Sequence, residues 1–446
     1  MPLSTTLNPL TALLAGAFIV LVGQGLQGMI VPVRAQLESF ATSEIGLLSS
    51  AYSAGFVLSC ILTPYVMRRV GHIRTFAVMA ALAACVVQLL MLAVHPWVWI
   101  TLRVVTGFCF AGLFMVIESW LNAQAGNDNR GQVFSVYMLV NLIAVMLGQM
   151  LLPLGDPAAV TLFATTAILI TLALVPVSMT RTQAPMPLTE VRLRLGRLYE
   201  LSPVGVMGCF IIGMGNGAIG GLGAIYAQRL GFSLGEVALF MSAGILGGAV
   251  GQMPLGRLSD RMDRRRVIAA AAVAAAGLGL ALAIAGGLHG AQAAPELPIA
   301  VVIGLYFLLG GFIYSIYGLC VAHANDFAST DEFVETSSGL LLTYGVGNVV
   351  GPVFASLLMD RIGTGALFAW SSVVQAFFAV FVIYRMTRRA APERTTFVVS
   401  GGVSERSGPA LAVLDPRSGD QSASDEPEAD APPPDTPADD GSATRM

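Results

Sequence analysis

The chain has 446 residues, 55% hydrophobic and only 11% charged, and its mean hydropathy is +0.74. Soluble domains carry about 25% charged residues, so a deficit spread over almost the whole chain excludes a water-soluble enzyme and leaves a polytopic membrane protein. The net charge of −3 is made by residues 401–446, where ten acids face three arginines, while the preceding 400 residues carry 21 arginines against 17 acids.

Apolar runs of about twenty residues are long enough to cross a hydrocarbon core of about 30 Å. Twelve such runs occur, at 10–32, 44–67, 73–94, 97–120, 131–154, 158–179, 204–227, 236–256, 267–288, 299–321, 334–358 and 364–385. The first lacks a basic start and is too long for a signal-peptide core, so it counts as a helix. Sixteen arginines, from Arg68 to Arg389, lie after even-numbered runs, against Arg34, Arg229 and Arg361 on the other side. The positive-inside rule then predicts that both termini are cytoplasmic. Cys60, Cys85, Cys109, Cys209 and Cys320 all sit in apolar runs and form no C-x-x-C pair. They read as small packing residues, with neither a disulfide framework nor a zinc site.

The longest gap between runs carries Pro185, Pro187 and an arginine-rich stretch at 188–201. It reads as a plain linker or as a surface amphipathic helix, and it divides the chain in two. A shift of 192 residues aligns Glu44 with Glu236, Ala51 with Ala243, Gly55 with Gly247, and the loop 68–74 with 260–266. The expected architecture is an all-α membrane protein with twelve transmembrane helices in two pseudo-symmetric six-helix bundles. The expected divisions are a first bundle at 1–180, a cytoplasmic linker at 181–203, a second bundle at 204–390 and a disordered, Pro- and acid-rich tail at 391–446.

The strongest local pattern is Gly256, Leu258, Asp260, Arg261, Arg264, Arg265 and Arg266 between runs eight and nine. With twelve helices in two halves, it resembles the major facilitator superfamily, whose loop signature has the form G-x-L-x-D-R-x-G-R-R. Asp263 stands where that family usually has glycine. The resemblance implies a cytoplasmic latch, in which Asp260, Arg261 and Arg264 pair with neighbouring helix ends and the pairs break as that side opens. Arg265 and Arg266 are expected to anchor the loop to anionic lipid. In the first half, Gly71 and Arg74 are kept, but Arg68 stands where the aspartate would be, so any latch there needs another acid, for which Glu118 is the expectation.

Arg103 and Gly107 in run four resemble the family's R-x-x-x-G motif. A charge about 9 Å into a membrane helix is costly and points to function; the other reading is snorkelling to the interface. Glu118 lies within an apolar run and reads as a proton carrier or as a fixed ion-pair partner of Arg74 or Arg130. His323 and Asp326, three apart, read as a proton relay or as a helix-end pair with the Arg264 region. Helices one, four, seven and ten line the cavity in this superfamily. The resemblance therefore implies substrate contacts at Gln24, Gln27, Arg103, Asn216, Tyr314 and Tyr317. For the amides the alternative is interhelical hydrogen bonding; for the tyrosines, packing and an interfacial belt.

Val116, Glu118, Ser119, Asn129, Arg130, Gly131, His323, Asp326, Ser338, Tyr344, Gly347, Gly351 and Pro352 together resemble the YcaD-like bacterial transporters over roughly residues 10–390. The implied protein is a monomeric secondary transporter of the cell inner membrane. It would move a small polar or anionic solute by alternating access, with protons as coupling ion and lipid and solute as its partners. A multidrug or metabolite efflux antiporter is the alternative, weakened because Gly148 and Pro153 do not form the exporters' helix-five signature. A transport-inactive receptor or scaffold acting through the tail is the alternative of another class. No P-loop, metal cluster, nucleophile triad or nucleic-acid motif is present in the sequence, so no enzyme activity, cofactor, metal or nucleic acid is expected.

Overall fold

The computed structural model describes residues 10–124, 130–179, 195–287, 297–328 and 332–388. Twelve helices in it are long and apolar enough to cross a membrane. They are α1 (Thr11–Leu37), α2 (Thr42–Val70), α3 (His72–Leu92), α4 (Pro96–Gln124), α5 (Arg130–Met150), α6 (Val160–Ser178), α7 (Pro203–Arg229), α8 (Leu234–Arg261), α9 (Arg264–Ala285), α10 (Ile299–Asn325), α11 (Phe333–Ile362) and α12 (Ala366–Arg388). The protein is a multi-pass, all-helical membrane protein. Helices such as α1, α4 and α10 outrun the predicted spans by four or five residues. Their polar ends continue the backbone ladder past the apolar run, which sequence hydropathy alone does not register.

The two halves repeat at the level of backbone contact. A Cβ on Gly55 would overlap the carbonyl oxygen of Val104, and one on Gly107 that of Tyr52, so α2 and α4 cross with backbones touching. In the second half Gly247 meets Phe307 and Gly310 meets Gly244, giving the same crossing between α8 and α10. Small residues are what permit such approach in lipid, where the hydrophobic effect does not drive helices together. The helix starts repeat too. The Ala41 N–H donates to Glu44 Oε2 at 2.8 Å, and the Ser233 N–H donates to Glu236 Oε2 at 2.8 Å, each tying down the first turn.

The halves meet chiefly through α2 against α11 and α7, α5 against α8, and α1 against α7. Three hydrogen bonds that join them lie toward the arginine-poor end. Arg229 donates to Thr42 Oγ1 at 2.7 Å, the Ser43 N–H donates to Asp360 Oδ2 at 3.0 Å, and Ser242 donates to Gln149 Oε1 at 2.7 Å. A short helix, Leu195–Leu201, precedes α7 and pairs Arg197 with Glu332 at 3.0 Å. The rest of the 188–201 stretch, the prolines before it and the tail lie outside the described residues.

Candidate functional site

A cavity of about 920 Å³, counting the solvent at its mouth, lies between the two halves. Its walls come from α1, α2, α4 and α5 on one side and α7, α8, α10 and α11 on the other. Five of the six residues expected to contact substrate line it: Gln24, Gln27, Arg103, Asn216 and Tyr314. The sixth does not. Tyr317 is buried in the second half with its ring edge-on to Tyr344, centroids 5.1 Å apart. Tyr314 and Tyr317 differ by about 60° around a helix, and that rotation suffices to send one ring to the cavity and the other into the packing behind it.

Each half builds its wall from an amide and a phenol. In the first, Gln24 Nε2 donates to the Tyr52 hydroxyl at 3.0 Å. The Arg103 guanidinium lies over the same ring, 4.4 Å from its centroid, and its Nε reaches the Leu48 carbonyl at 3.5 Å. A guanidinium over an aromatic face is attracted by the ring quadrupole, so Tyr52 contacts both the amide and the half-buried charge. In the second half, Asn216 Nδ2 donates to the Tyr344 hydroxyl at 3.4 Å. Asn216 follows Gln24 by 192 residues, the same offset that relates the two helix starts. The two amides are pseudo-symmetric and face one cavity.

These amides are only half used. Gln24 Oε1, Gln27 Nε2, Gln149 Nε2 and Asn216 Oδ1 are buried and make no hydrogen bond among the described residues. A buried polar atom without a partner costs about 1–3 kcal/mol, and four of them line the same space. The rest of the lining includes apolar Val31, Ile45, Leu48, Met241 and Ile245. Among the described residues, Arg103 is the one charged residue in the lining and no carboxylate lines it. Sequence reading missed Tyr52 and the cavity position of Tyr344. Tyr52 carried one legible signal: a phenol inside an apolar run needs a partner when buried.

The second cluster lies at the arginine-rich end. Arg264, first residue of α9, donates from Nε to Asp326 Oδ2 at 2.7 Å and from Nη1 to Ser259 Oγ at 3.0 Å and Asp260 Oδ1 at 3.4 Å. The Arg264 and Asp326 side chains are only 5% and 2% exposed. These bonds tie the ends of α8, α9 and α10, all in the second half. Arg261 and Arg266 are exposed. Arg265 is not, which corrects its expected role as a lipid anchor. It is buried and forks onto Asp263, Nε to Oδ1 at 3.1 Å and Nη2 to Oδ2 at 2.9 Å. Asp263 also caps α9 by accepting the Arg265 N–H at 3.0 Å. Burial alone would raise the Asp263 carboxyl, but the Arg265 hydrogen bonds and the nearby Arg265 and His323 charges outweigh it and hold the group below the usual carboxylate range. The residue that departs from the family's glycine therefore has a structural reason of its own.

The other polar helix ends fall as follows. Glu118 is fully buried and accepts from the Tyr137 hydroxyl at 3.4 Å. The Arg130 side chain lies outside the described residues. Next to Glu118, Ser119 bonds His72 Nε2 at 3.0 Å. His323 is buried, with its ring edge-on to Phe327, centroids 5.2 Å apart.

A sequence profile of the Major Facilitator Superfamily matches residues 13–291 and 205–414. The uncharacterized MFS-type transporter YcaD of Escherichia fergusonii is 27% identical over 386 residues, which cover 86% of this chain and 97% of that protein. An uncharacterized MFS-type transporter of Enterobacter sp. (strain 638) is 28% identical over 402 residues, 88% of this chain and 99% of the relative. The solved structure of a variant of the nucleoside transporter NupG superposes with a TM-score of 0.71 over 85% of this chain and 99% of its own, at 12% identity. At that identity the likeness is one of fold.

Proposed function

The chain belongs to the major facilitator superfamily, and from that premise we propose that it is a secondary transporter moving a small polar or anionic solute across the cell inner membrane by alternating access. Both termini face the cytoplasm in this reading, because the arginine-rich loops do. The observation that carries it is the cavity lining. Side chains from both halves converge on one space whose described lining has a single guanidinium, no carboxylate and four amide side chains with a buried atom that makes no hydrogen bond among the described residues. A solute that satisfies groups on both halves binds best when they close around it, and that differential is what drives rocking of one bundle against the other.

Protons are the proposed coupling ion. Glu118 is the proposed carrier, a fully buried carboxyl that accepts a hydrogen bond from the Tyr137 hydroxyl. His323 and Asp326 belong instead to the helix-end cluster, where Asp326 is held by Arg264. That cluster makes α8, α9 and α10 move together at the arginine-rich end.

The test is ligand-induced thermal stabilisation of the purified protein with small anions, neutral polar solutes and lipophilic cations, followed by uptake into proteoliposomes with and without a pH gradient. Binding to the folded state raises the melting temperature by mass action. The expected result is hits among small anions or polar solutes, at least about tenfold weaker in Arg103→Ala. Hits confined to lipophilic cations would sink the reading in favour of drug efflux. Binding without flux, with function lost on deleting 391–446, would favour a receptor acting through the tail.

A further inference from the structure

The cavity chemistry narrows the solute further, and this inference rests on the transport reading above. We infer that the substrate is a monoanion carrying several uncharged hydrogen-bond donors, a polyhydroxylated monocarboxylate of the sugar-acid class. Three observations converge on it.

The first is the sign and number of charges. The lining holds Arg103 and no carboxylate. One carboxylate on the solute matches one guanidinium, which takes it bidentately through paired N–H groups. A second anionic group has no counter-charge. A cationic group, as on an amino acid or an amine, would be buried facing Arg103 and neutral amides at a cost of several kcal/mol.

The second is the unused acceptors. Gln24 and Asn216 each give one N–H to a tyrosine hydroxyl, while Gln24 Oε1 and Asn216 Oδ1 are buried and make no hydrogen bond among the described residues. They come from equivalent positions of the two halves, so the solute must bring neutral donors to both walls. Hydroxyls do so without adding charge. Gln27 Nε2 and Gln149 Nε2 are complementary, unused donors, and a hydroxyl accepts as well as donates.

The third is the carbon skeleton. Tyr52, Tyr314 and Tyr344 present rings, and Val31, Ile45, Leu48, Met241 and Ile245 present aliphatic surface, between these polar points. A chain of CH(OH) groups has C–H faces for the second set and hydroxyls for the first. A simple fatty acid would bring no hydroxyls to the amides, and a polyol would bring no charge to the arginine.

A matched six-carbon series on the purified protein tests this by calorimetry. Gluconate has the charge and the hydroxyls, sorbitol the hydroxyls alone, hexanoate the charge alone, and 6-aminohexanoate is a zwitterion. Gluconate is expected to bind about tenfold or more tighter than each of the other three, the loss that one unmatched buried group implies. In Arg103→Gln the preference over sorbitol should vanish while the preference over hexanoate persists. In Gln24→Leu/Asn216→Leu the reverse is expected. Hexanoate or 6-aminohexanoate binding as well as gluconate overturns the inference. If those affinities still depend on Arg103, the anion-carrier reading stands without it. If gluconate fails to bind while another anion in the wider panel does so through Arg103, the inference alone falls. If no solute in either panel binds, both fall. The series on unaltered protein decides the matter even where a variant does not fold.

Discussion

The loops at 68–74 and 260–266 stand 192 residues apart at equivalent places in the two halves, and they join their helices by different chemistry. In the second half the first residue of α9 is Arg264, held by a buried ion pair to Asp326, and the helix is capped by the Asp263 carboxylate. In the first half the first residue of α3 is His72, held by a neutral bond to Ser119. Gly71 takes the capping position with φ +84°, a left-handed conformation that glycine adopts without strain, and offers no side chain to the helix. The duplicated backbone plan thus survives a complete exchange of the side chains that brace it. What the repeat preserves is the crossing of helices, set by Gly55 with Gly107 and by Gly247 with Gly310. A buried ion pair braces the start of α9, and a histidine–serine bond braces the start of α3.

That contrast breaks most sharply at Asp326. Asp326→Ala takes from buried Arg264 its shortest ion pair, leaving the longer Asp260 contact and the neutral Ser259 bond, and should destabilise the second half by about 3–5 kcal/mol, the usual cost of stripping one partner from a buried pair. Chemical unfolding of the purified protein in detergent checks this. The counterpart change in the first half, Ser119→Ala, should cost only about 1 kcal/mol, because a neutral hydrogen bond is lost. Equal costs at the two sites would mean that the ion pair contributes no more than the His–Ser bond, and the distinction between the loops would fall.

A smaller effect sharpens the comparison through pH. The Asp263 carboxyl is held low in the folded protein. Its ionised form therefore adds stability above the ordinary carboxylate pKa of about 4, and that stability is lost as pH falls through the lowered folded value. Asp263→Asn should melt below the wild type near neutrality, by an amount of about 1 kcal/mol or less at such a cap, and the two curves should converge in acid. Melting temperatures across an acid-to-neutral series provide the readout. Substitution of Gly71 by alanine should show a pH-independent loss instead, also about 1 kcal/mol, arising from backbone strain at positive φ. A pH-dependent loss there would mean that the first loop too is braced by charge.

Much of the plan was legible along the chain, and the reasons are local. Arg103 stood out because a guanidinium that deep in an apolar run is costly wherever it points. The Asp260–Arg266 pattern stood out because its charges are close in sequence. The same local reading placed Tyr317 beside Tyr314 in the cavity and Arg265 among the lipid anchors. Both errors have one cause: spacing tells which residues are near each other on a helix, whereas the neighbouring helix decides which of them is covered. Tyr52 escaped notice because its role consists of two contacts, with Gln24 and Arg103, that are 28 and 51 residues away.

The sequence by itself determined that the chain crosses a membrane, how many times, which loops share the arginine-rich side, and that its two halves repeat. Those properties follow from runs of composition and from a constant offset, and need no knowledge of which helix lies beside which. Only the tertiary structure decided which polar groups meet. Helix rotation and the glycine crossings brought Gln24 to Tyr52, Asn216 to Tyr344 and Arg264 to Asp326 across 28, 128 and 62 residues. In a low-dielectric interior a polar group is either matched by such a neighbour or left costly, and the packing left amide atoms of Gln24, Gln27, Gln149 and Asn216, all residues of the cavity wall, without a described partner.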